Sequence, residues 1–241
     1  MTRLLLETVP SPPSTVEVEG DELRYLARVR RHGAGDPIEV RDAEGQRFAA
    51  RVASVGKKCA RLDIERQLPM APRAWPVKLL VAVPKGARLD DVVRKLSELG
   101  VAELTPVIAE RSNTRPGQGR LKRWRRIAAE STRQCGRRKP LSVSDAVTLA
   151  DGLAENETAA HKLILDPGAG DQGLTSTFGS RRIQDSVVIA IGPEGGFTAS
   201  ELKIAKSLGF ATTGLGPTIL RVDTAAIAAA TLAVAALGGF D

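Results

Sequence analysis

The fold prediction for this chain rests on two glycine-rich segments near the carboxy-terminal end: IGPEGGF at residues 191–197 and GLGPTILR at residues 214–221. Each segment follows a run rich in β-branched and other apolar residues, and each leads into a stretch with helical spacing. Glycine allows positive φ and lets the backbone approach a ligand closely. Because α/β proteins bind ligands in loops that follow their strands, the two segments predict two loops around one small-molecule site.

The domain organisation follows from a change of hydrophobic period along the chain. Residues 36–66 alternate apolar and polar side chains in short runs, which predicts strands and a small barrel-like β domain over residues 1–70. The segment QLPMAPRAWP holds three prolines and predicts a linker at residues 71–76. Strands then alternate with helices, which predicts an α/β domain with a mainly parallel sheet over residues 77–241. The strands expected there cover residues 78–83, 103–109, 161–165, 187–191 and 211–215.

The composition places the chain among ordinary globular proteins. Its 241 residues are 42% apolar, 26% charged and only 3% aromatic, so the core is expected to be aliphatic. The chain has no long uncharged apolar run and no signal-peptide pattern, so we expect a cytoplasmic protein without membrane association. Cys59, Cys135, His32 and His161 have no disulfide-framework or metal-ligand spacing, so we expect no metal site.

Positive charge is concentrated in one segment. Residues 111–139 hold 11 Lys and Arg side chains against one acid, Glu130, whereas the whole chain has a net charge of +7. Apolar spacing predicts a helix here, with Leu121, Trp124 and Ile127 on one face and arginines on the other. A solvated face usually mixes both signs, so this one favours a nucleic acid partner. The expected RNA contacts are Arg111, Arg115, Lys122, Arg123, Arg125, Arg126, Arg133, Arg137, Arg138 and Lys139.

A third glycine cluster matches a dinucleotide-binding fingerprint only in its letters. Gly168, Gly170 and Gly173 spell G-x-G-x-x-G after the strand expected at residues 161–165. The fingerprint requires a helix whose amino-terminal end meets the phosphates, and the following GLTSTFGSRRIQ is poor helix material. We therefore expect a polar loop there rather than a dinucleotide site.

The two helices after the glycine-rich segments carry clear signals. Thr198 and Glu201 form a capping-box pattern, so the helix begins directly after the first segment. The last helix, expected at residues 224–237, reads TAAIAAATLAVAAL and carries no charge. An uncharged helix should be buried on every side, so we expect a second subunit to cover part of it.

The same segments carry a family resemblance. IGPEGGFTASEL and LGPTILRVDTA closely resemble the two carboxy-terminal signatures of the bacterial small-subunit ribosomal RNA uridine-N3 methyltransferases of the SPOUT superfamily. Further matches are KGARLDDVVRKLSELGV, LTPVIAERS and KRWRRIAAESTRQCGRRKP, so the resemblance covers nearly the whole chain. It implies a SPOUT-type α/β domain with a carboxy-terminal trefoil knot, a PUA-like RNA-binding barrel at residues 1–70, and a homodimer. It also implies methylation of a 16S rRNA uridine at N3 in the small ribosomal subunit, with S-adenosylmethionine as methyl donor.

Site residues follow from the resemblance by position. It implies that the cofactor contacts Leu165, Ile191, Gly192, Pro193, Gly195, Gly196, Leu215, Gly216, Ile219 and Leu220. Arg221 is our favoured catalytic candidate, because it could hold a uracil oxygen or a phosphate. Asp223 is a second candidate, with a helix N-cap as the alternative role, and Glu194 is a third, with pairing to a nearby arginine as its alternative. The general base stays open. The alternative function is a non-catalytic RNA-binding or ribosome-assembly protein.

Overall fold

The structure, a computed structural model, describes residues 2–69, 74–112, 114–169, 173–179 and 182–240. The chain divides into two compact units. The second unit comprises Ala74–Ala129 and the chain from Leu141 onward, and the first comprises the amino-terminal segment together with Glu130–Pro140. The long basic helix therefore contributes residues to both units.

The first unit is built on a five-stranded sheet. Strands β3, β4 and β5 form antiparallel neighbours, as the alternating pattern of residues 36–66 predicted. Strand β1 pairs parallel with β3, and β2 pairs antiparallel with β5. A short helix α1 (Gly20–Arg24) runs on into a π-helical turn at Tyr25–Val29. The strands are β1 (Arg3–Leu5), β2 (Ser14–Val18), β3 (Pro37–Arg41), β4 (Arg47–Val55) and β5 (Ala60–Leu68), in the order β1-β3-β4-β5-β2.

A buried ion cluster joins this sheet to the end of the basic helix. Arg41 and Glu39 are 1% and 2% exposed, and Arg41 Nε donates to Glu39 Oε1 over 2.6 Å. Burial alone would raise the pKa of Glu39, but the hydrogen bonds from Arg47 and Arg41 lower it below its ordinary value. Arg41 Nη1 also donates to the carbonyl of Gly136 at 2.6 Å. A cation at these carbonyls stabilises the helix end, which explains why Glu130–Pro140 belong to the first unit.

The second unit is an α/β domain whose described strand pairs are all parallel. Its main strands run in the spatial order β12-β10-β11-β6-β7-β8, and β9 pairs with β7. The strands are β6 (Trp75–Ala82), β7 (Val101–Ile108), β8 (Ser142–Val143), β9 (Val147–Thr148), β10 (His161–Leu165), β11 (Val187–Ile191) and β12 (Ala211–Thr213). The helices are α2 (Arg88–Glu98), α3 (Gln118–Cys135), α4 (Leu149–Ala154), α5 (Leu174–Phe178), α6 (Ala199–Ser207) and α7 (Val222–Ala236).

Helices cover both faces of this sheet. Strand β6 shows the division, because Val77, Leu79 and Val81 join the core formed with α2, α3, α5 and α7. The alternate residues Leu80 and Ala82 join the core formed with α4 and α6. Successive side chains of a strand point to opposite faces, and a sheet covered on both sides needs apolar residues at both. The continuous apolar runs of β11 and of residues 79–82 in β6 are the result.

Some boundaries differ from the sequence predictions. Strand β6 begins at Trp75, inside the segment predicted as linker, and residues 71–73 of that segment lie outside the described residues. The segment after Gly173, predicted as a polar loop, forms the five-residue helix α5 instead. Packing of Leu174 and Phe178 into the core stabilises this helix. Gly170 of the glycine cluster lies outside the described residues.

Helix α7 also departs from its prediction. It begins at Val222, two residues before the predicted start. In a single chain α7 is not buried on every side, since Ala226, Ala229 and Ala230 are buried but Ala235 is exposed. In the described part of the chain, none of the helices is both long and apolar enough to span a membrane.

Candidate functional site

A cleft lies where three adjacent parallel strands end. The chain leaves β10 after Leu165, β11 after Ile191 and β12 after Thr213, and all three exits meet at the same edge of the sheet. The loops that follow enclose about 640 Å³ of space, part of it open to solvent. The lining residues are Leu165, Asp166, Pro167, Ile191, Gly192, Pro193, Glu194, Gly196, Gly214, Leu215, Gly216, Thr218, Ile219, Leu220, Val222 and Ala225. Carboxyl ends of parallel strands are the usual ligand position in such sheets.

Most residues assigned to the cofactor by resemblance line this cleft. The exception is Gly195, whose carbonyl faces Arg111 instead. The structure adds lining residues that were not assigned to the cofactor individually, which lie next to or within the glycine-rich segments, after β10 or on the first turn of α7: Asp166, Pro167, Gly214, Thr218, Val222 and Ala225. A signal was available for Asp166 and Pro167, since they directly follow a predicted strand.

The cleft has the features of a cradle for a flat, mostly apolar ligand. Gly196 and Gly216 have φ of +68° and +99°, and a Cβ built on either would meet no atom within 4 Å. Both glycines therefore leave open space where a side chain would stand. Ile219 is 83% exposed at the rim, although large apolar side chains are usually covered. An adenosine or thioether group placed here would contact apolar side chains and free backbone groups.

The loop between β11 and α6 is held from outside the cleft. The Glu201 carboxylate accepts the N–H of Thr198 and the N–H of Glu110, both at 2.8 Å, and the capping box predicted for Thr198 is present. Thr198 Oγ1 in turn donates to the carboxylate of Glu110 at 2.9 Å. Arg111 Nη1 donates to the carbonyl of Gly195 at 2.8 Å. Two residues that follow β7 thus tie down the glycine-rich loop.

The three catalytic candidates have different surroundings. Glu194 lines the cleft and lies 3.7 Å from Arg88 Nη1, so the predicted pairing with an arginine is present. Arg221 is exposed and is itself the N-cap residue of α7. Asp223 therefore lies inside the first turn and is not the N-cap, which corrects that alternative. Its Oδ1 is buried and has no hydrogen-bond partner within the described part of the chain.

Fewer basic side chains of the basic helix are free of ion pairs than the sequence indicated. Its apolar face is buried as predicted, including Leu121, Trp124 and Ile127. Arg123 contacts Asp90 at 2.6 Å and Arg125 contacts Asp145 at 2.9 Å. Acidic partners from distant parts of the chain thus supply the opposite charge that residues 111–139 lack.

Two of the predicted RNA contacts, Arg133 and Arg137, have little exposed surface. Arg137 is 6% exposed, and burial lowers its pKa to about 10, so it stays protonated at neutral pH but has little surface to offer. Arg133 is largely buried and pairs with Glu22. Arg138 donates to the Glu44 carbonyl at 2.6 Å, and Lys139 lies 3.4 Å from the Glu44 carboxylate. The residues that remain exposed are Arg111, Arg115, Lys122, Arg123, Arg125, Arg126 and Lys139.

Comparisons with known proteins agree with this architecture. Residues 71–234 match the RNA methyltransferase domain family, and residues 18–65 match the RNA methyltransferase PUA domain family. A ribosomal RNA small subunit methyltransferase E from Synechocystis is 32% identical over 219 residues, which cover 88% of this chain and 70% of the relative. The Bacillus subtilis protein of the same name is 29% identical, covering 93% of this chain and 90% of its own.

A solved structure extends the comparison to three dimensions. The Neisseria gonorrhoeae ribosomal RNA small subunit methyltransferase E, crystallised with S-adenosylmethionine, superposes on this chain with a TM-score of 0.88 and 28% sequence identity. The alignment covers 100% of both chains. The predicted fold, a parallel α/β domain of the SPOUT type after a PUA-like domain, is confirmed. The chain belongs to the ribosomal RNA small subunit methyltransferase E family.

Proposed function

We propose that this protein transfers the methyl group of S-adenosylmethionine to N3 of a uridine in 16S rRNA of the small ribosomal subunit. The observation that carries the proposal is the glycine-lined cleft at the ends of β10, β11 and β12. Two comparisons support the proposal: the chain shares its family with these methyltransferases, and the Neisseria gonorrhoeae protein was crystallised with S-adenosylmethionine bound. The N3 position comes from the sequence resemblance.

The residues present suit this cofactor. Leu165, Ile191 and Leu220 would contact its apolar parts, and Gly196 and Gly216 would let backbone approach it, since neither has a side chain in the open space. When bound, the cofactor would supply an activated methyl group on a sulfonium. The protein's part is then to orient the uracil, to exclude water and to accept the N3 proton.

Among the three catalytic candidates, Glu194 is the one that lines the cleft. Its carboxylate is therefore our candidate to accept the N3 proton, with Arg88 holding it in place at 3.7 Å. Arg221, exposed beside the lining residues Leu220 and Val222, would hold a uracil oxygen and stabilise the negative charge that develops on the base. Asp223 lies off the cleft lining, so we propose no chemical step for it.

We propose that RNA meets the exposed part of α3. Lys122, Arg123, Arg125 and Arg126 lie on the face opposite the buried one, and the exposed ion pair between Arg125 and Asp145 can be exchanged for a phosphate contact at little cost. With this substrate the protein would act in the cytoplasm, where ribosomes are.

We also propose the homodimer and the trefoil knot that the resemblance implies. Helix α7 supports the dimer, because the apolar side chains of Ile227 and Ala228 are only partly covered in one chain. Scattering at micromolar concentration should give twice the chain mass of 25.6 kDa. A monomer would contradict the dimer proposal.

One assay tests the activity directly. Transfer of tritiated methyl from S-adenosylmethionine is measured with assembled small subunits and with bare 16S rRNA as acceptors. Methylation at N3 blocks Watson–Crick pairing, so reverse transcription should stop at the modified uridine, and nucleoside mass spectrometry should identify it. RNA binding without methyl transfer to either acceptor would favour the non-catalytic ribosome-assembly function instead.

A further inference from the structure

The first unit contains a basic pocket far along the chain from the cofactor loops. Its lining comes from the amino-terminal strand, the π-helical turn and the end of α3, all within that unit. The residues that line it are Thr2, Arg3, Tyr25, Arg30, His32, Pro37, Arg133 and Gln134. The sequence concealed this cluster, because the net charge of residues 1–70 is only +1.

An irregular backbone places Arg30 at the pocket. In the π-helical turn the N–H of Arg30 donates to the carbonyl of Tyr25 at 3.0 Å, one residue further back than in an α-helix. The next residue, Arg31, has φ of +55°, a conformation that few residues other than glycine adopt. The chain therefore turns sharply, and the Arg30 guanidinium lies 5.6 Å over the Tyr25 ring with Nε donating to the hydroxyl at 3.1 Å.

The walls of the pocket are fixed by hydrogen bonds. His32 is held between Thr2 Oγ1 at 2.6 Å and the Asp36 carboxylate at 3.0 Å. Arg3 Nη1 donates to the carbonyl of Arg133 at 2.9 Å. These bonds order the pocket before a ligand arrives, which lowers the entropic cost of binding.

The positive charge of the pocket is only partly neutralised by its surroundings. Three guanidiniums line it, and Glu22 pairs with one of them, Arg133. Arg3 lies 3.7 Å from Glu39, a carboxylate that also serves Arg41. Among the described residues no carboxylate lies within ion-pair distance of Arg30, whose side chain is exposed. An exposed guanidinium keeps its forked donors available for an anion.

We propose that this pocket binds a backbone phosphate of the RNA substrate, with Arg30 as the principal contact. The proposal rests on the proposed function for the identity of the RNA. Guanidinium forks match phosphate geometry, and a rigid pocket of net positive charge suits one phosphate group. The guanidiniums of Arg30 and Arg133 lie 5.6 Å and 5.2 Å from the centre of the Tyr25 ring. Because these groups already occupy positions over the ring, the pocket suits a phosphate better than a stacked base. The pocket would anchor RNA without reading its sequence.

The test uses two arginines that differ in position but not in charge. Arg30→Ala removes the proposed contact, and Arg24→Ala removes an exposed arginine of α1 that pairs with Asp21 at 3.6 Å and does not line the pocket. Affinity of the full-length protein for a 16S rRNA transcript is measured by fluorescence anisotropy at several salt concentrations. Arg30→Ala should weaken binding about fivefold to tenfold and reduce the salt slope by about one, while Arg24→Ala should change affinity less than twofold. Arg30→Lys should restore part of the loss.

Folding and ligand identity are checked in the same experiment. Calorimetry should give the same S-adenosylmethionine affinity for wild type and both alanine variants. Equal RNA losses for Arg30→Ala and Arg24→Ala would overturn the pocket, as would binding of inorganic phosphate that depends on Arg30 while RNA affinity does not. Absence of methyl transfer by a wild-type protein that binds RNA through Arg30 would overturn the proposed function and leave the pocket intact.

Discussion

Replacing Arg111 distinguishes two roles for this residue: contact with RNA, which its place in the basic segment indicates, and support of the glycine-rich loop, which its hydrogen bond indicates. Arg111 begins the basic segment and was predicted to contact RNA. In the structure its Nη1 donates to the carbonyl of Gly195 at 2.8 Å, on the loop whose neighbours Gly192 and Gly196 line the cleft. We therefore expect Arg111→Ala to weaken S-adenosylmethionine binding.

The magnitude follows from this one hydrogen bond. A hydrogen bond to a charged group contributes about 1.5–3 kcal/mol, and because Arg111 is exposed to solvent we expect this bond to contribute about 1 kcal/mol. Without this hydrogen bond, binding of the cofactor must supply the free energy that orders the loop. A cost of about 1 kcal/mol raises Kd about fivefold. Loss of the aliphatic stem of Arg111, which lies beside Gly195, should raise the effect on Kd toward about tenfold.

Isothermal titration calorimetry with S-adenosylmethionine measures the effect, and anisotropy with 16S rRNA measures the competing one. Arg115→Ala is the matched control, because Arg115 is exposed in the same segment and carries the same charge. Arg111→Lys should recover part of the affinity, since one ammonium donor can still reach the carbonyl. An unchanged cofactor Kd together with weaker RNA binding by Arg111→Ala would refute the reasoning.

The remaining predictions concern the cleft, the basic helix and the buried ion cluster. Gly196→Val should reduce cofactor affinity at least tenfold, because it forces a β-branched residue to φ of +68° and fills open space in the cleft; calorimetry showing wild-type affinity would contradict this. Replacing Arg123, Arg125 and Arg126 together with Glu should weaken RNA binding and its salt dependence while the cofactor Kd stays constant. Glu39→Gln should destabilise the protein by about 3 kcal/mol, because it leaves the buried Arg41 without its counter-charge. Since the pKa of folded Glu39 lies below its ordinary 4.5, its contribution is complete above that pH and is lost as the pH falls through the lowered value, so acid melting curves of the variant should be flatter than those of wild type.

Much of the candidate site was predictable from local sequence. The glycines, the capping box of Thr198 and Glu201, and the strands at residues 161–165 and 187–191 depend on side chains within a few positions of each other. The roles of individual charges were not predictable. Arg133 and Glu22, or Arg123 and Asp90, are distant in sequence, and no local period indicates that they pair.

The sequence by itself determined the class of the fold, the positions of most strands and helices, and the two glycine-rich loops, because hydrophobic period and backbone freedom are local properties. The tertiary structure decided which loops share a cleft, because the order β12-β10-β11 is set by long-range strand pairing. It also decided which arginines stay exposed: Arg137 is buried although Arg30 is open, and the difference lies in the groups packed around each one. Burial and ion pairing depend on neighbours that only the folded chain brings together.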